Sequence, residues 1–190
     1  MDQEGVYPGY VITNSGDTLR GYIQYESASA NQLEVTYYVS MNREETRHTY
    51  KPGDIKAYNL LSYTFVSVPF SGKYSSRSMT FMHRVIDGPI TLFEWYYIEK
   101  QQYFEDNDIY GYNPDASYEL AYQVQLFAQK LGENPVNLNS TKFEMSFRNA
   151  MSKYVVECLE LAKKIKNKEK GYTHDHIERI IREYNACDLK

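Results

Sequence analysis

Gly9-Tyr10-Val11-Ile12-Thr13, Asn14-Ser15-Gly16-Asp17 and Thr18-Leu19-Arg20-Gly21-Tyr22-Ile23 constrain this chain more than any other stretch. They read as two β-strands joined by a tight polar turn. In an extended chain Tyr10 and Ile12 point to one face and Val11 and Thr13 to the other. Asn14, Ser15 and Asp17 have short side chains that bond their own backbone, and Gly16 is free to take positive φ. The strand that follows is rich in β-branched and aromatic residues.

The same grammar continues to residue 138. Further strands are expected at 8–14, 18–26, 32–40, 46–50, 55–60, 63–70, 78–87 and 89–99. Turn material separates them at Ser27–Asn31, Asn42–Glu44, Pro52-Gly53-Asp54, Ser71–Ser76 and Asp87-Gly88-Pro89. Short strands at this spacing predict an antiparallel meander or a partly closed barrel. Ile90–Ile98 is apolar on both faces, which predicts a central strand covered on both sides. Residues 100–118 read as a long polar, aromatic loop. Leu120, Tyr122, Val124, Leu126 and Ala128 alternate, so 119–130 is expected to be a strand, with a return strand at 136–138. Of the 20 tyrosines, 17 precede residue 123, which suits a half-solvated sheet or an aromatic binding surface.

From Asn139 the apolar period becomes helical. Asn139, Ser140 or Thr141 can cap a first helix, whose stripe runs Phe143, Phe147, Ala150, Met151, Tyr154, Cys158, Leu161, Ala162 and Ile165. This is one long helix or two kinked pieces. After Gly171, Thr173 or Asp175 can cap a second helix with the stripe Ile177, Ile180, Ile181 and Tyr184. The expected fold is α+β: an N-terminal antiparallel β meander or partly closed barrel (1–138) followed by a C-terminal helical hairpin (139–190) packed on it.

Several functions are disfavoured. The net charge is −4 with mixed signs, unlike the clustered cationic face that binds nucleic acid. The one basic run, Lys163, Lys164, Lys166, Lys168 and Lys170, sits at a helix end. No apolar run is long enough to span a bilayer. Gly-x-Ser-x-Gly, a phosphate loop and metal-ligand spacing are all missing, and no cofactor is expected. Asp106-Asn107-Asp108-Ile109-Tyr110-Gly111 departs from a calcium loop, with Tyr110 at a ligand position and Ser117 where a bidentate Glu belongs. His174 and His176 diverge on a helix and are expected to face solvent. Asn139-Ser140-Thr141 matches a glycosylation acceptor but reads as a helix cap.

His83 and Glu94 are the one acid–base candidate. With Gly88-Pro89 as hairpin tip, 87 pairs with 90, 85 with 92 and 83 with 94. A carboxylate partner can poise a histidine for proton transfer, or simply satisfy it as a structural pair. Cys158 and Cys187 lie on or beside the two helical stripes. Spacing alone leaves a disulfide and two buried reduced thiols both open. Met1-Asp2-Gln3-Glu4 lacks the regions of a signal peptide, which leaves a cytoplasmic protein or an exported one whose leader is absent.

Gly9–Thr13 with Gly16–Thr18 and Gly21–Ile23, Tyr50-Lys51-Pro52-Gly53-Asp54-Ile55-Lys56-Ala57-Tyr58, Val156–Leu161 and Glu183–Cys187 together resemble an uncharacterised family of exported proteins from Bacteroidetes-type bacteria. The resemblance implies a cleaved leader, a periplasmic or secreted location, and therefore a Cys158–Cys187 disulfide. It implies no reaction, and it does not extend to the insertion at 101–118. The leading functional expectation is a non-enzymatic envelope or secreted protein. It would bind a protein, peptide or glycan through Trp95, Tyr97, Tyr103, Tyr110 and Tyr112 with their neighbouring acids. The alternatives are a hydrolase using His83 with Glu94, Asp106 or Asp108, and a carrier of a small apolar ligand inside a barrel.

Overall fold

The computed structural model describes residues 4–41, 47–70, 78–102 and 118–187. Ten strands form one antiparallel sheet: β1 (Gly5–Thr13), β2 (Thr18–Tyr25), β3 (Val35–Tyr38), β4 (Arg47–Tyr50), β5 (Ile55–Leu60), β6 (Tyr63–Pro69), β7 (Met79–Ile86), β8 (Ile90–Gln102), β9 (Tyr118–Lys130) and β10 (Val136–Asn137). Their order is β10-β9-β8-β7-β6-β5-β1-β2-β3-β4, and the sheet is not closed. Two meanders therefore meet where β1 pairs with β5.

The first meander is strongly curled. An Asp54 N–H to Lys51 C=O bond of 3.0 Å folds the β4–β5 link into a turn. Such a turn holds its ends within about 7 Å, so Tyr50 and Ile55 lie no more than about 15 Å apart. A flat sheet would separate β4 from β5 by four strand spacings, roughly 19 Å. The five strands must bend to bring β4 back towards β5. The interior of the bend is filled by Val11, Ile23, Val35, Tyr37, Ile55, Tyr58, Leu60, Phe65 and Phe81. Tyr58 is fully buried, stacks on Phe65 at 4.9 Å and meets Phe81 edge-on at 5.1 Å. Its hydroxyl donates to the Asn31 carbonyl at 2.8 Å, so the polar tip is satisfied. In the opening hairpin Gly16 has φ +100°, as the turn reading requires. Asn14 donates to the Gly53 carbonyl at 2.8 Å, tying that turn to the β4–β5 link.

The helices cover one face of β7–β9. They are α2 (Thr141–Met145), α3 (Phe147–Tyr154), α4 (Leu159–Lys166) and, after a 3-10 turn at His174–His176, α5 (Ile177–Asn185). Ser140 is the cap that α2 uses, accepting the Phe143 N–H. The apolar stripe lies where expected, but it is carried by three short helices. Ser146 has φ −111° and ψ 19°, and its hydroxyl donates to the Lys142 carbonyl, ending α2. Non-helical angles at Val155 and Cys158 end α3 and start α4. Leu138, Phe147, Met151, Val155, Leu161, Ile165, Ile177, Ile180 and Ile181 then pack on Ile86, Ile90, Leu92 and Ala128. Cys158, just before α4, is bonded to Cys187, just past α5, with their Cα atoms 6.2 Å apart. No helix among the described residues is long and apolar enough to cross a membrane.

Within the second meander the sheet forks between β7 and β8. β7 and β8 pair at only three positions: His83 with Glu94, Arg84 with Phe93, and Ile86 with Leu92. Beyond Glu94 the strands part around Gln32, which follows the short helix α1 (Ala28–Asn31). The Gln32 carbonyl accepts the Phe81 N–H at 3.1 Å and the Thr80 hydroxyl at 3.2 Å. Its side-chain amide accepts the Tyr96 N–H at 2.6 Å and donates to the Tyr96 carbonyl at 2.7 Å. Asn185 makes the same two-point amide bond to Ile90 at the other end of β8, 2.8 Å each way. The expected strand 32–40 is accordingly shortened to β3, because Gln32 is committed to the fork. Gln32 is 1% exposed. Replacing it with alanine strands both Tyr96 backbone groups and is expected to cost about 2 kcal/mol in urea unfolding.

Candidate aromatic cleft

The fork opens a cleft between the curled meander and the β8–β9 hairpin. It has a volume of about 560 Å³ and is lined by Glu4, Tyr25, Glu26, Ser27, Ala28, Tyr63, Phe65, Tyr96 and Tyr122. Strand alternation places these rings. On β8 the even residues Ile90, Leu92, Glu94 and Tyr96 share one face. Near the helices that face is covered, since Ile90 and Leu92 are fully buried. Past the helices it is open: Ile98 is 45% exposed and its partner Tyr122 is 63% exposed.

His83 and Glu94 are direct cross-strand neighbours, as the hairpin arithmetic predicts. Arg84 against Phe93 keeps that register, and it shifts only beyond Arg84. A bulge between Arg84 and Ile86 pairs Leu92 with Ile86 in place of Val85. The His83 Nδ1–H donates to Glu94 Oε2 at 3.0 Å, and the Tyr96 hydroxyl donates to the same oxygen at 2.5 Å. The histidine bond holds the Glu94 carboxyl below the usual carboxylate range, with a smaller contribution from Tyr96 acting against partial burial. Burial raises the Tyr96 phenol, and its bond to Glu94 raises it further. The rings of Tyr63 and Phe65 lie 5.2 and 5.5 Å from the His83 ring. His83 is 14% exposed and Glu94 26%, and neither lines the cleft. The pair sits beside the rings that do, with His83 directly across from Phe65.

A depressed carboxyl stabilises the fold above its unfolded pKa, and that stability is lost as pH falls through the folded value. Glu94→Gln is expected to unfold more easily than the native chain at pH 6, by roughly 1–2 kcal/mol for a charge-assisted bond. The two should converge as pH drops below the ordinary glutamate value of 4.5. Urea midpoints from pH 6 to 3 check this.

Neither Trp95 nor Tyr97, the two expected aromatic residues that are described, lines this cleft. Trp95 and Tyr97 lie on the opposite face of β8, stacked on each other at 5.6 Å. Trp95 also packs on Phe70 at 4.9 Å, beside Phe93 and Phe127, so it closes a small core of its own. Tyr103, Tyr110, Tyr112, Asp106 and Asp108 lie outside the described residues. The expected loop 100–118 is shorter at both ends, because β8 runs to Gln102 and β9 starts at Tyr118. Sequence reasoning missed Tyr25, Tyr63, Phe65, Tyr96 and Tyr122 as a group. Alternation assigns each ring a face, but the convergence of β2, β6, β8 and β9 depends on the curl and the fork. Gln32 carries no motif that would announce its role.

His174 is corrected as well: its Nε2 lies 3.0 Å from the Leu138 carbonyl and its ring packs edge-on against Phe147. His176 pairs with Thr173, so the two imidazoles do diverge. No group of three or more His, Cys, Asp or Glu among the described residues could hold a metal ion. Comparison with family models, with curated proteins and with solved structures gives no match.

Proposed function

We propose that the chain is a non-enzymatic binding protein of the envelope or secreted space, and that its ligand occupies the aromatic cleft. One observation carries this reading: four tyrosines and a phenylalanine converge with two carboxylates on an open concavity of about 560 Å³. Protein sites for small ligands and peptide side chains have this size and this mixture of apolar area with a few polar groups. The interior of the curl is packed with its own side chains, so the cleft is the better place for a ligand than a barrel cavity. For the hydrolase reading, His83 and Glu94 have hydrogen-bond geometry. Their contacts with Tyr63, Phe65 and Tyr96 support a role in holding the cleft wall. The Cys158–Cys187 bond supports an oxidising compartment, where such bonds persist. The resemblance to exported Bacteroidetes-type proteins points the same way.

Fluorotyrosine labelling with ¹⁹F NMR tests the site. Against a panel of neutral oligosaccharides, capped amino acids and short peptides, a binder is expected to move the Tyr25, Tyr63, Tyr96 and Tyr122 lines together. Tyr122→Ala, at a side chain 63% exposed, should abolish the response without lowering stability. A panel that moves only tyrosines away from the cleft would remove the proposal.

A further inference from the structure

We infer that the occupant of the cleft is a lysine or arginine side chain, delivered by an extended peptide that adds as a strand to the outer edge of β9; this rests on the binding reading above. The cleft supplies the charge argument. Its lining holds Glu4 and Glu26, and no Lys, Arg or His among the described residues. A cation is drawn both to carboxylates and to aromatic faces, and Tyr63, Tyr96 and Tyr122 present rings here that are not fully buried. A neutral sugar would use the rings and leave the acids without a counter-charge.

The edge of β9 supplies the second half of the site. The Leu126 N–H donates to Asn139 Oδ1 at 2.7 Å and its carbonyl accepts the Leu138 N–H at 2.9 Å. Leu126 therefore turns its backbone groups away from β8. By strand alternation Val124 and Tyr122 do the same. β10 pairs only with Phe127 and Ala128, so these outward groups have no described backbone partner. Ala121–Gln129 carries neither charge nor proline, the usual protections of an open edge. An added strand would bond to Tyr122 and Val124 and set its alternate side chains on the cleft side of the sheet. A long cationic side chain then extends across Tyr122 towards Glu26.

Calorimetry on the full chain at low salt tests this. The probes are capped Thr-Val-Arg-Val-Thr, the same peptide with citrulline for arginine, the same peptide with backbone N-methylation, and chitohexaose. The arginine peptide is expected to bind. Citrulline, N-methylation and Glu26→Gln should each weaken binding at least tenfold. Val124→Pro should do likewise, since that N–H faces away from β8. If Val124→Pro fails to fold, the N-methyl peptide probes the same contact. Equal binding of the arginine and citrulline peptides would overturn the inference. So would a dimer of the free chain that Val124→Pro dissociates, which would assign the edge to a second copy. Chitohexaose binding that shifts the cleft tyrosines, with no peptide binding, overturns the cationic peptide and leaves the binding reading standing. Silence of every probe, with no tyrosine shift, removes both.

Discussion

Alanine at Gly9 or Gly21 unfolds the curled meander. The two residues are cross-strand partners in the opening hairpin, and each faces backbone on its other side. A Cβ on Gly9 would lie 2.1 Å from the Asn59 carbonyl oxygen and 2.9 Å from Ile23 Cγ1. A Cβ on Gly21 would lie 2.3 Å from the Tyr38 carbonyl oxygen and 2.6 Å from the Tyr37 ring. Backbone oxygens in a ladder cannot rotate aside as a side-chain tip can. Relief requires β1 to leave β5, or β2 to leave β3, and the core between them opens. The cost is expected to be about 3 kcal/mol or more, at the upper end of overpacking effects. Either variant should show a much lower urea midpoint or accumulate unfolded. A native midpoint would mean that the strands are less tightly coiled than described.

Opening the Cys158–Cys187 bond is the other large effect. The cysteines are 29 residues apart, and chain-entropy arguments assign such a loop about 3–4 kcal/mol. The bond joins the start of α4 to the chain just past α5. Next to it, Asn185 holds both backbone groups of Ile90. Reduction, or the Cys158→Ala/Cys187→Ala pair, is therefore expected to loosen the helical layer first. The β8 amides near Ile90 should exchange faster with solvent, while those of β1 and β5 change little. Equal stability with and without reductant would show that helix packing alone holds this end.

Much of the architecture is legible in local residue patterns. Period-two alternation and turn residues place the strands because each signal acts over a few neighbours. The Gly88-Pro89 tip fixes His83 against Glu94, but the bulge before Ile86 shifts the next pair, and nothing in Arg84-Val85-Ile86 announces it. Ser146 and Cys158 break an unbroken helical stripe, since periodicity reports which face is buried and not where the backbone bends. The cleft is the least legible feature. Tyr25, Tyr63, Tyr96 and Tyr122 are far apart in sequence, and Gln32, one polar residue among many, brings them to one opening. The aromatic residues expected from the sequence and those that line the cleft are different sets. Trp95 and Tyr97 fall one step out of phase with Tyr96, on the other side of the sheet.

The most direct measurement is a crystal structure of the full chain soaked in arginine ethyl ester. The account predicts β7 and β8 held apart around Gln32, with the guanidinium among the rings of Tyr63, Tyr96 and Tyr122 and within hydrogen-bond reach of Glu26. A closed fork, with Tyr63 and Tyr122 packed on each other and no ligand in the cleft, would contradict it.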